Sequence, residues 1–140
     1  MDEIKAARSH RVRRLGIALA IIACGTVLRL GGYEIGLPYI LVKYGGSTLR
    51  GAMVFFLLAT LLPRVSLGRL AILAVVAAAL TEFTRLYHTP WLDAFRLTLA
   101  GALLLGRIFS WLNILAYGIG IVLAAGIESR LLERGRHRRR

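Results

Sequence analysis

Apolar positions along this chain fall into continuous blocks, not into the one-faced or alternating patterns of a water-soluble fold. Residues 15–28 are all small or apolar, bounded by Arg13-Arg14 before them and by Arg29 and the Gly31-Gly32 pair after them. As a helix over 15–30 this block rises about 24 Å, short for a hydrocarbon core of about 30 Å but sufficient with interfacial flanks. A second helix is predicted over 47–62, capped by Ser47 or Thr48, with Arg50 in its first turn and Pro63 as its stop. A third, over 67–87, follows Ser66, is rich in Ala, Val and Leu through Leu80, and carries Glu82 and Arg85 before Pro90. A last apolar helix over 111–127 is long enough to span. Residues 31–46 mix Tyr33, Tyr39 and Tyr44 with Pro38 and Gly45-Gly46, the composition of an interfacial loop.

The stretch 91–106 decides the topology. On a helix, Asp93, Arg96, Ala100 and Arg107 share one face, so the segment is amphipathic. Only ten uncharged residues separate Arg96 from Arg107, about 15 Å of helix. If 91–106 does not span, both chain ends and the 63–69 link share one side with 13 Lys and Arg, against six on the other. If it does span, the Arg-rich end lies across the membrane from the basic start, against the positive-inside bias. The pattern therefore predicts an all-α membrane protein with four transmembrane helices and one re-entrant or interfacial amphipathic helix over 91–106. Five spans is the alternative. A single helical membrane domain, 15–127, lies between basic cytoplasmic tails over 1–14 and 128–140, as in a multi-pass membrane protein.

Composition agrees with that class. Hydrophobic residues make up 57% of the 140, and mean hydropathy is +0.66. The formal net charge of +12 is concentrated beside apolar blocks, which points to anionic lipid headgroups and argues against nucleic acid. A basic start before an apolar run also fits a signal peptide, with 21–24 loosely matching a lipoprotein cleavage site, but the expectation is a retained helix. The lone Cys24 and three scattered His give no intramolecular disulfide and no metal site, and no cofactor is expected. Gly16, Ala20 and Cys24, and again Ala116, Gly120 and Ala124, recur every four residues as small-residue stripes suited to helix packing with a partner membrane protein or in a homo-oligomer.

Charge embedded in apolar sequence needs an explanation, because it costs about 2.5–3.5 kcal/mol per residue at a helix centre on insertion scales. In the four-span topology Arg29, Arg50, Glu82, Arg85, Asp93 and Arg96 all gather in the outer half of the bilayer. Glu82–Arg85 and Asp93–Arg96 are i,i+3 pairs. Counting Arg107, five Arg face two acids, and the surplus makes the cluster a candidate anion site. The competing reading is that these charges brace a non-spanning helix. Trp91, Trp111 and Tyr117 are expected as interfacial anchors, and His88 as an idle exposed imidazole. Glu82 and Asp93 lack any nucleophile–base spacing, metal motif or phosphate-binding glycine loop, so no enzymatic activity is expected.

The run 82–117 holds Glu82-Phe83, Leu86-Tyr87, Pro90-Trp91-Leu92-Asp93, Arg96, Thr98, Gly101, Leu105-Gly106, Phe109-Ser110-Trp111 and Leu115-Ala116-Tyr117. With Arg29 and Tyr44-Gly45-Gly46, it resembles a family of short bacterial membrane proteins catalogued as a domain of unknown function and similar to the VanZ-like group. The sequence departs from that family's pattern at Ser47, Arg50, Arg85 and Asn113, each change making the region more positive. The resemblance implies a multi-helix inner-membrane protein linked loosely to the cell envelope, with no established activity. The resulting expectation is a non-enzymatic membrane protein binding an anionic lipid or polyprenyl-phosphate headgroup on its outer side. A structural or accessory subunit of a larger membrane complex is the alternative.

Overall fold

A computed structural model describes residues 2–106 and 108–137, and all regular structure among them is helical. The elements are α1 (Asp2–Gly31), α2 (Tyr39–Leu61), α3 (Leu67–Phe83) closed by a 3-10 turn (Thr84–Leu86), α4 (Pro90–Leu97), α5 (Leu99–Leu104) and α6 (Trp111–His137). Two helices are longer than their apolar blocks. No Pro or Gly interrupts 2–15, and the Ala, Arg, Lys and Leu there are good helix formers, so the stretch expected as a tail is the first half of α1. The stretch after 127 likewise continues α6 to His137.

The second helix also differs from expectation. It begins at Tyr39, not at residue 47, with Pro38 as the last residue before it. Half of the expected interfacial loop is therefore helix. Ser47 and Thr48 are not caps but lie inside α2, their hydroxyls donating one turn back to the carbonyls of Lys43 (3.1 Å) and Tyr44 (2.9 Å). Ser66 does precede α3, though its side chain makes no cap bond.

α2 is the central helix, packed against α1, α6 and α3. Ala18, Phe55, Phe56, Ala59, Leu70, Ala74, Ile121 and Ala124 form the apolar core. Two glycines set the α2–α6 distance: a Cβ at Gly51 would collide with the Tyr117 carbonyl, and one at Gly120 with the Thr48 carbonyl. The stripe Ala116, Gly120 and Ala124 is thus spent inside the protein, while Gly16, Ala20 and Cys24 lie exposed on α1.

Three helical stretches, Ile4–Gly31, Leu67–Leu86 and Trp111–Gly135, are long and apolar enough to cross a membrane. Their apolar side chains are largely uncovered; only 11% of the first stretch's apolar window is buried. Leu19 and Val27 on α1, Ile72 and Leu80 on α3, and Val122 and Leu123 on α6 all face outward. Apolar surface on this scale needs lipid or a partner, and with the helix lengths it points to a membrane protein.

The segment expected as one helix over 91–106 is two. Thr98 adopts an extended conformation (ψ 158°) and its hydroxyl accepts from the Gly101 amide at 3.0 Å, ending α4 and starting α5. At 8 and 6 residues, these helices rise only about 12 and 9 Å. Neither spans.

Gly120→Leu should force α2 and α6 apart and destabilise the fold by about 3 kcal/mol or more, read as earlier loss of helical circular dichroism on heating in detergent. Gly118→Leu on the same helix, where a Cβ meets nothing within 4 Å, should change stability by no more than about 0.5 kcal/mol.

Candidate functional site

The end of α3 brings Glu82 to the start of α6, and the local chain direction explains why a carboxylate belongs there. The first turn of a helix exposes unpaired N–H groups and a partial positive charge. Glu82 Oε1 accepts from the Ser110 amide at 2.8 Å, immediately before α6, and from Asn113 Nδ2 at 3.0 Å in its first turn. Arg85 Nη1 reaches the same oxygen at 2.7 Å, and the Tyr117 hydroxyl donates to Oε2 at 2.7 Å. Glu82 is wholly buried, and Arg85, Asn113 and Tyr117 are at most 4% exposed. The Ser47 hydroxyl, 3.1 Å from Asn113 Oδ1, extends the network onto α2.

Arg85 does more than pair with Glu82. Its Nε donates to the Leu105 carbonyl at 2.5 Å, Nη1 also to the Ile108 carbonyl at 3.0 Å, and Nη2 to the Tyr117 hydroxyl at 2.9 Å. One guanidinium thereby serves the irregular chain that links α5 to α6. Gly106 makes room for it. A Cβ there would strike the guanidinium, and the backbone takes φ +71°, which glycine adopts at little cost.

Arg96, 2% exposed, acts in the same way on the end of α3. Its Nη1 donates to the Tyr87 carbonyl at 2.9 Å and its Nη2 to the Thr84 carbonyl, which also accepts the Tyr87 amide at 3.1 Å. Asp93 pairs with Nη1 at 3.0 Å and is 45% exposed; His88 Nδ1 lies 3.2 Å from the same carboxylate oxygen. Arg29 and Arg50 converge on the end of α5. Arg29 Nη1 and Arg50 Nη2 lie 3.3 Å and 3.4 Å from the Ala102 carbonyl, and Arg50 Nη1 is 3.3 Å from the Tyr117 hydroxyl.

The six residues expected to form one ligand-binding cluster do gather at one end of the bundle, but they divide by accessibility. Glu82, Arg85 and Arg96 are buried and hold internal partners. Arg29 is exposed, and Arg50 and Asp93 are half-buried. Arg107 lies outside the described residues. Tyr117, expected as an interfacial anchor, is instead 1% exposed at the centre of the network, because Gly51 lets α2 and α6 close over it. Trp91 and Trp111 are exposed, the latter edge-on to Phe109 at 5.0 Å and to Phe83 at 5.9 Å.

A second buried carboxylate occupies the opposite end of the bundle. Glu128, fully buried, accepts from Arg14 Nε at 2.8 Å and from Arg13 Nη2 at 3.2 and 3.3 Å. Arg14 Nη1 also covers the Ala59 carbonyl at 2.7 Å near the end of α2. Sequence reasoning assigned these residues to tails. A signal was there: Arg13-Arg14 directly precede the first apolar block, and Glu128 directly follows the last, on the same side in the four-span count.

All-helical architecture, uncovered apolar faces and three helices long and apolar enough to cross a membrane point to a helical membrane protein. A family model described as a protein of unknown function (DUF2809) matches residues 36–121, and the chain belongs to that family. The match takes in Arg50, Glu82, Arg85, Asp93, Arg96 and Tyr117, and leaves out Arg29 and the whole Glu128 cluster. No solved structure matches the chain.

Glu82→Gln should leave Arg85 as a buried, under-compensated charge and cost about 3–5 kcal/mol. Tyr117→Phe should cost about 1–3 kcal/mol through the acceptor and donor it removes. Asp93→Asn, at a half-exposed pair, should cost no more than about 1 kcal/mol. Thermal melts of the three variants in one detergent check this ranking.

Proposed function

We propose that the protein is a non-enzymatic, multi-pass membrane protein in which α1, α2, α3 and α6 span the bilayer and α4–α5 enters and leaves on one side. Support comes from α2, whose 23 residues rise about 35 Å and lie against three helices long and apolar enough to cross. Four spans put both chain ends on one side with 13 of the 19 Lys and Arg, which by the positive-inside rule is the cytoplasmic face of a bacterial inner membrane. The kinship with the VanZ-like group, and with it a role in the cell envelope, belongs to the same proposal.

On the outer face, Arg29 and Arg50 bind the anionic headgroup of a lipid or a polyprenyl phosphate. The observation that carries this reading is the convergence of two guanidiniums on the single Ala102 carbonyl, one of them at the surface. Two like charges brought together beside an apolar surface are stabilised by an anion, and the planar guanidinium matches phosphate bidentately. Arg85 and Arg96 hold the platform and do not touch the ligand.

A second reading, an accessory subunit of a larger membrane complex, is favoured by one observation: the small residues Gly16, Ala20 and Cys24 face outward on α1. A mild-detergent pull-down recovering only this chain would count against it.

For the first reading, native mass spectrometry with added anionic phospholipid or polyprenyl phosphate should show retained ligand, reduced about tenfold or more by Arg29→Gln with Arg50→Gln. Retention equal to that of the parent in this double variant would overturn it.

A further inference from the structure

At the Glu128 end, the start of α1 runs past the turn that joins α2 to α3, and a groove of about 750 Å³ lies between them. Among the described residues its charged lining is Arg8, Arg11 and Arg64, with no acidic side chain. Ile4, Leu61 and Leu62 supply an apolar floor and are 75%, 71% and 38% exposed. Residues 4, 7, 8 and 11 recur at i, i+3, i+4 and i+7, so one face of α1 presents both the methyl groups and the guanidiniums to the groove.

Adjacent arginines have a different fate. Arg13 and Arg14 are taken up by Glu128. Arg8, Arg11 and Arg64 are exposed and have no hydrogen-bond or ion-pair partner among the described residues. Three guanidiniums with no partner among the described residues, set around apolar side chains, complement a ligand that is anionic at one end and hydrocarbon at the other. A soluble polyanion would leave the apolar floor uncovered, and a neutral lipid would leave the charge unanswered.

We propose that this groove seats one anionic phospholipid of the leaflet opposite the Arg29–Arg50 site. Arg8, Arg11 and Arg64 hold its phosphate, and Ile4, Leu61 and Leu62 lie along the first methylenes of its chains. The site rests on α1 and α3 spanning the bilayer, which puts the α2–α3 turn at headgroup depth, and is independent of whether Arg29 and Arg50 bind anything. Its occupant would pin the start of α1 against the α2–α3 turn.

The test is native mass spectrometry of the full chain in a mild neutral detergent, titrated with phosphatidylglycerol. R8Q/R11Q/R64Q should weaken one bound phosphatidylglycerol roughly 100-fold, since each basic group near the leaflet contributes about a factor of five. R29Q/R50Q should keep that lipid, which separates this site from the outer one. Phosphatidylcholine should not replace it, and neither should water-soluble glycerol phosphate, which carries the charge without the chains. The proposal is overturned if the triple variant binds phosphatidylglycerol as the parent does. It is equally overturned if R130Q/R134Q, outside the groove, weakens binding as much, or if glycerol phosphate competes on equal terms.

Discussion

A peptide group that cannot reach water has to find its hydrogen-bond partner within the protein, and this constraint governs the Glu82 end of the structure. A chain broken into short helices leaves carbonyls with no helical donor at each break. Here long cationic side chains supply the donors. Arg96 covers the end of α3, Arg29 and Arg50 the end of α5, and Arg85 the chain between α5 and α6. Glu82 answers the opposite need, for acceptors at the start of α6. The charges that look misplaced in the sequence are therefore what allows the backbone to be irregular there. Their mutual neutralisation, Glu82 with Arg85 and Asp93 with Arg96, keeps the arrangement from burying bare charge.

Much of this was legible in the sequence. The apolar blocks located α1, α3 and α6, Pro63 and Pro90 marked real boundaries, and the shortness of 91–106 showed in the spacing of Arg96 and Arg107. What was not legible depends on contacts between elements. Gly45-Gly46 reads as a loop by composition, yet lies within α2, where α1 packs alongside at Leu28. Thr98 reads as one polar residue in an amphipathic helix, but its hydroxyl serves the Gly101 amide better in a break than in a continuous helix. Tyr117 reads as an interfacial tyrosine because sequence position gives depth and not facing. Only the close approach of α2 at Gly51 turns it inward.

The two ends of the bundle solve similar problems with different materials. At one end a carboxylate from α3 holds the start of α6; at the other a carboxylate from α6 is held by the arginines of α1. α6 is thereby fastened at both ends to different helices, with close glycine packing against α2 between them. The family match covers the first fastening and stops before the second. Ser47, Arg50, Arg85 and Asn113 are all members of the Glu82–Tyr117 network.

The chain order of the Glu82 contacts has a consequence for how the protein is made. Its partners follow it by 3, 28, 31 and 35 residues: Arg85, Ser110, Asn113 and Tyr117. During synthesis the carboxylate therefore emerges with its countercharge one helical turn behind, and waits for α6 to gain the other three bonds. Arg85 in turn precedes the Leu105 and Ile108 carbonyls that it serves by 20 and 23 residues. The i,i+3 pair is a near-neutral unit before the remainder of the site has been translated.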